Sequence, residues 1–196
     1  MYNKKDIKEH IIEVTTILIE EYGGDTKKIT ARLIAEKAGI GLGLINYHFG
    51  TKDNLITACV QSIIGKVISD FDVEKKYMSE KERLIAIAIN VFDFLFEHPA
   101  ISRISILGDF QNYTQNCNSI RSQKGFMLSL TETKTDNDKA MIAFILTSAM
   151  QVAFLGSDMV KMILGYDFTV PEDRANYIEQ LVSTLLNGYN KGVENE

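Results

Sequence analysis

Apolar residues recur along this chain at intervals of three and four almost from end to end, and that period admits helices and little else. Ile7, Ile11, Val14 and Leu18 share one helical face, as do Leu55, Ile56, Val60, Ile63, Ile64 and Val67. Leu84, Ala88, Val91 and Leu95 repeat the pattern, and near the end so do Ile178, Leu181, Val182, Leu185, Leu186 and Tyr189. The alternating pattern of a half-buried strand does not occur. Proline appears only twice, as Pro99 and Pro171, and each stands where it suits the first turn of a helix. The expectation is an all-α protein of about nine helices with no sheet and no internal repeat.

Local punctuation sets the boundaries. Tyr22-Gly23-Gly24-Asp25 ends the first helix, and Thr30 caps a short one that runs to about Ala38. Gly39 breaks it. A second short helix runs from Leu42 to Phe49, and Gly50-Thr51 closes it and starts a longer helix reaching about Asp70. Ser79-Glu80-Lys81-Glu82 is a capping box for the next, which stops at His98-Pro99. From Pro99 a helix runs to near Gly108. A less regular stretch, Asp109 to Asn118, precedes a helix over 119–131. Thr135-Asp136 opens a long helix over 137–162, and Pro171-Glu172-Asp173 opens the last, ending near Asn190. The change from short helices to long ones places a boundary at residue 50: a three-helix head over 1–50, and a larger helical bundle over 51–196.

Composition narrows the function classes. A hydrophobic share of 45% supports a real core and argues against disorder. The charged start MYNKKDIKEH does not read as a secretory signal, and no run of about eighteen apolar residues reads as a membrane span. The two cysteines, Cys59 and Cys117, lack a CxxC partner or a nearby histidine, so a disulfide or zinc site is not expected and a cytoplasmic location is. No cofactor is expected. The three histidines have no ligand partner four residues on, Glu-x-x-His pairs are absent, and no nucleophile motif appears, so an enzyme is not expected. Net charge is −5, yet between Asp25 and Lys52 five basic residues stand against two acidic ones. That local excess permits contact with a polyanion.

The stretch from Ile29 to Lys52 is the most informative. Two short helices that cross steeply need a small residue at their approach, a left-handed turn between them and apolar positions that lock them together. Ala35, Gly39, and Ile34, Ala38, Ile40 and Ile45 meet those needs within about fifteen residues, which is the signature of a helix-turn-helix. Its second helix would enter a groove of duplex DNA. Gly39-x-Gly41-x-Gly43 has the wrong spacing, and no preceding strand, for a dinucleotide fingerprint.

The elements Ile34-Ala35-Glu36-Lys37-Ala38-Gly39-Ile40, Tyr47-His48-Phe49 and Lys52-Asp53-Asn54-Leu55 resemble the DNA-binding domain of the TetR (tetracycline-repressor-like) family across roughly Ile7 to Leu55. Beyond that point the likeness is only architectural. It implies a dimeric, ligand-released repressor. Gly41-Leu42-Gly43 stands where members often carry a polar or basic residue, and Asn46 where an aromatic is common.

The residues themselves suggest roles. Thr30 and Arg32 can reach phosphates, and Arg32 also a guanine edge; Tyr47, His48 and Lys52 can meet the backbone; Asn46 is the only amide on the recognition helix and suits adenine. Gly41 and Gly43 allow close approach, with methyl contacts from Leu42 or Leu44 and reliance on DNA shape. Tyr47 also suits core packing, His48 a helix end, and Phe49 reads as a core aromatic. His10 and His98 read as ordinary packing or surface residues.

In the bundle, large side chains are interleaved with polar ones, which suits plain core and also a small-molecule pocket. The expected pocket comprises Phe92, Phe96, Phe110, Tyr113, Phe126 and Phe144. The helix over 137–162 is apolar nearly all round, and the last helix carries Leu185, Leu186 and Tyr189 near its end, so both are expected to pair with their copies in a homodimer. Two recognition helices would then fall about 34–36 Å apart, or a multiple of that. The helix after Thr51 would link head to pocket and convert ligand binding into a change of spacing. The expected function is a ligand-responsive transcriptional regulator, a repressor of a (pseudo)palindromic operator. The alternative is a helical small-molecule-binding or interaction module without DNA binding.

Overall fold

The computed structural model describes residues 4–69, 78–131 and 135–193. Among these residues are ten helices and no strand: α1 (Lys4–Glu21), α2 (Ala31–Lys37), α3 (Leu42–Phe49), α4 (Lys52–Ser69), α5 (Glu80–Glu97), α6 (Pro99–Gln111), α7 (Asn118–Ser129), α8 (Asp136–Leu155), α9 (Ser157–Leu164) and α10 (Pro171–Val193). Asp70, the expected end of α4, and the side chains of Ile64, Val67 and Tyr189 lie outside the description.

The caps form as their chemistry dictates. Thr30 Oγ1 accepts from Leu33 N, and Thr51 Oγ1 accepts from Asn54 N. Ser79 and Glu82 close their box reciprocally. Thr135 does the same with Asp138. Each satisfies amide groups that the first helical turn leaves without a partner.

The chain divides into two compact units. One holds residues 1–71 and 98–108; the other holds 72–97 and 109–196. This division differs from a cut at residue 50. Leu55, Ile56, Cys59 and Val60 of α4, with Ala100 and Ile101 of α6, are buried in one core with α1, α2 and α3. Cutting before α4 would expose that face. Cys59 is fully enclosed there, its thiol donating to Ile12 O, and burial raises its pKa to about 11.

In the other unit α5 packs chiefly on α10, and α7 on α8. Arg83 ties the start of α5 to the end of α7 through Ser129 O and Thr131 Oγ1. A buried polar chain joins three elements: Asp109 Oδ2 accepts from Ser119 N at 2.7 Å and from its hydroxyl at 2.6 Å, and Gln151 Nε2 donates to that hydroxyl. Arg174, on α10, pairs with Asp93 of α5, donates to Phe168 O and lies over the Phe96 ring.

Several boundaries differ from those the sequence suggests. α6 runs on to Gln111, because one glycine inside a helix is tolerated and Asp109 finds its partner in Ser119. The helix after it starts at Asn118 and ends at Ser129. The long helix expected over 137–162 is two: Gly156 leaves helical geometry (φ −114°, ψ 34°) and serves as the C-cap of α8 and the N-cap of α9. By length and apolarity α8 suffices to cross a membrane, and 44% of its most apolar stretch is buried within the protein.

Breaking the Arg174–Asp93 pair leaves a carboxylate without its partner in a half-buried site. Arg174→Ala is expected to lower unfolding free energy by about 3 kcal/mol, measured by urea denaturation, and removing Asp93 as well should recover part of it. A loss below about 0.5 kcal/mol would show that the pair contributes nothing.

Candidate nucleic-acid interface

The corner between α2 and α3 is closed by backbone geometry. Gly39 has φ +65°, its N–H donates to Glu36 O at 3.1 Å, and Ile40 N–H donates to Ala35 O at 3.0 Å. These two bonds constitute a Schellman ending, and a side chain at Gly39 would be strained by the left-handed backbone alone. His10 Nε2 lies 3.2 Å from Ala38 O and so fastens α1 to the same corner. At the other end of α3, Gly50 N donates to Asn46 O, and Asn54 Nδ2 donates to Phe49 O, which ties α3 to α4. The loop before α2 has its own constraint. Gly24, at φ +80°, sits so close to α6 that a Cβ would lie 3.0 Å from Ala100 O.

Held at both ends, α3 has two unlike faces. Ile45 and Phe49 are buried against α1, α2 and α4. Leu42, Gly43, Asn46 and Tyr47 are exposed, Leu42 at 45% and Tyr47 at 64%. Leu44 and His48 are half-buried, and the His48 ring meets Tyr47 edge-on, with centroids 5.1 Å apart. Gly41 is exposed just before the helix. Thr30 and Arg32 are exposed at the start of α2, with the Thr30 hydroxyl oxygen engaged as cap. Phe49 is a core residue, with Lys8 over its ring at 5.7 Å.

Lys52 has a job that its sequence position did not reveal. Its ammonium donates to Thr26 O at 2.6 Å and lies 4.0 Å from Asp53. It therefore pins the loop before α2 to the start of α4, leaving two N–H donors for any further acceptor.

Residues 11–59 match the model of a family described as bacterial regulatory proteins, tetR family. The match takes in α2 and α3 whole, with parts of α1 and α4. No curated protein matches the chain. Among solved structures, a TetR transcriptional regulator from Rhodococcus sp. RHA1 aligns with a TM-score of 0.63 at 15% identity, over 94% of this chain and 98% of that one. A TetR-like transcriptional regulator from Rhodococcus sp. RHA1 aligns with a TM-score of 0.62 at 18% identity, over 96% of this chain and all of the other. At such identities the likeness establishes a TetR-like all-helical fold.

The six residues expected to line a pocket occupy different environments. Phe92 and Phe126 are fully buried, and Phe96 is half-buried. Phe110, Tyr113 and Phe144 are about half exposed, at 50%, 48% and 50%. Phe92 and Phe96 pack edge-to-face with each other, Phe92 in turn with Phe168, and Phe96 with Phe154. Tyr177 closes the group against Phe92 and Phe168. Phe154, Phe168 and Tyr177 were missed because they lie on α8, a loop and α10, far apart in sequence. Their only sequence signal was aromaticity. A groove in this unit is open and polar, about 670 Å³, lined by Tyr166 and outer residues of α10 such as Asn176, Glu179 and Gln180. Among the described residues no group of three or more His, Cys, Asp or Glu is placed to hold a metal ion.

The left-handed corner yields a direct test. Gly39→Ala should cost about 1–2 kcal/mol of stability, read from denaturant midpoints, and Gly39→Asn less. Equal stability of all three proteins would contradict the assigned corner geometry.

Proposed function

We propose that the chain is a ligand-responsive transcriptional regulator that binds DNA through α3, acting as a dimeric repressor on a (pseudo)palindromic operator and released by a small molecule in the cytoplasm. The observation that carries this reading is the two-faced α3 within a head that matches the tetR family. One face is locked into the core, and the other offers Leu42, Gly43, Asn46 and Tyr47 to a partner. A helix held this way presents base-reading side chains without reordering.

In this reading Asn46 and Leu42 or Leu44 meet base edges, while Thr30, Arg32, Tyr47, His48 and Lys52 meet phosphates and set the register. The net charge of −5 confines attraction to the head, so affinity rests on a few contacts and falls with salt at a slope set by their small number.

Dimerisation is supported by α8. Ile142, Leu146 and Met150 face inward and are buried, while Met141, Ile145 and Val152 remain exposed, Val152 at 62%. Met159, Met162 and Ile163 extend the exposed apolar surface along α9. On α10, Leu186 is buried and Leu185 half-buried, and the outward residues are polar. The α8–α9 face is therefore the apolar part of the proposed interface over 137–162 and 171–190. The effector is placed in the second unit, around the Phe92 and Phe96 aromatic group and the buried polar residues Ser119, Thr147 and Gln151, with Phe110, Tyr113, Phe126 and Phe144 as further candidate contacts. Binding there would shift the spacing of the two heads, a coupling of about 1–3 kcal/mol.

The competing reading, a helical binding module without DNA binding, draws on the scarcity of hydrogen-bonding side chains in Gly41-Leu42-Gly43. Selection of bound duplexes from a random library separates the two. The regulator reading expects an enriched, two-fold symmetric site, and Arg32→Ala should weaken binding to it and lower the salt slope by about 1. If no sequence is enriched, the module reading replaces it. Light scattering at micromolar concentration should give twice the 22.1 kDa chain mass, and Val152→Glu should return the protein to monomer. A monomeric parent protein would remove the dimer.

A further inference from the structure

The first turn of α3 contains a glycine for which the fold has no use. Gly43 is helical, and a Cβ built on it would meet no atom within 4 Å. Glycine there costs helix stability through its backbone freedom and packs nothing in return. Gly41 is similar. Its backbone (φ −74°, ψ 139°) suits any residue, its surroundings are equally empty, and it offers α3 no side-chain cap. Gly24 and Gly39 differ, since close approach or positive φ explains them from within.

Open space around a glycine is not unique to α3; Gly108 in α6 shares it. What sets Gly43 apart is its place. It lies one turn before Tyr47 and opposite Ile45 and Phe49, on the outward face. Leu42 and Asn46 flank it, both exposed. A bare strip of backbone thus runs between side chains that stand out from the helix.

We infer that Gly43, seconded by Gly41, is a specificity determinant whose missing side chain sets how closely α3 approaches the base edges. The inference rests on the DNA-binding reading and deepens it. A methyl group at 43 holds the helix away from the groove floor, so that the short side chains Leu42 and Asn46 lose their reach while longer phosphate-binding side chains keep theirs. The glycine then trades local stability for contact, and substitution separates the two properties.

The test uses the full-length protein, the duplex enriched by the wild type from a random library, and mixed-sequence DNA as competitor. Gly43→Ala should raise the melting temperature by about 1–3 °C. It should also weaken the enriched duplex at least about tenfold while leaving mixed-sequence binding unchanged. Gly41→Ser should fold as stably as the parent and weaken the same duplex. Gly108→Ala, the control, should raise the melting temperature similarly and bind like the parent. A Gly43→Ala protein that holds the enriched duplex as tightly as wild type overturns the inference and leaves the DNA-binding reading intact. A variant that melts below wild type overturns it too, because the fold then needs the glycine. A wild type that enriches no duplex removes both readings.

Discussion

The left-handed turn at Gly39 is the constraint on which the head depends. Two backbone bonds close it, from Gly39 N to Glu36 O and from Ile40 N to Ala35 O, and together they fix the direction in which the chain leaves α2. That direction delivers Ile45 and Phe49 to the core. Burial of each large apolar side chain stabilises by about 1.5–3 kcal/mol, so the core holds α3 far more firmly than eight residues of helix could hold themselves. This surplus is what permits a helix with a glycine in its first turn and no side-chain cap to keep its shape. The local weakness of α3 and the strength of its surroundings belong to one arrangement.

The core that holds α3 is assembled from distant parts of the sequence. Ala100 and Ile101 of α6 close it beside α1 and α4, and Gly24 lets the loop after α1 settle against Ala100. Lys52, expected as a clamp on DNA, first clamps Thr26. That contact orders the segment from which Thr30 and Arg32 project.

In the second unit the polar groups are as telling as the aromatic ones. Arg174 is buried beside Phe96 and Phe168 and is balanced by Asp93. Asp109, Ser119 and Gln151 satisfy one another across three elements. Thr147 Oγ1 is buried without a partner, one turn from Gln151. Phe92 and Phe96 meet Phe154, Phe168 and Tyr177 ring to ring, which joins α5 to α8, α10 and the loop before α10. The apolar surplus appears on the outer sides of α8 and α9, where Val152 and Met162 face away from their own chain.

Much of the architecture was legible from short-range signals. Helical period, the caps at Thr30, Thr51, Ser79 and Thr135, and the glycine corner each act within a few residues, so the sequence alone determined that the chain is helical, where α2 and α3 lie, and that α3 is presented by a helix-turn-helix. Whatever depends on residues far apart was left to tertiary structure. The break at Gly156 has no proline to announce it, since a glycine is compatible with either course. The assignment of α4 and the first turns of α6 to the head, the partner of Lys52, and the sorting of phenylalanines into packed and exposed all follow from which faces meet. Period tells a residue which side of its own helix it occupies; only the packed chain decides what stands opposite, because that choice is made by the summed burial of surfaces that are not neighbours in sequence.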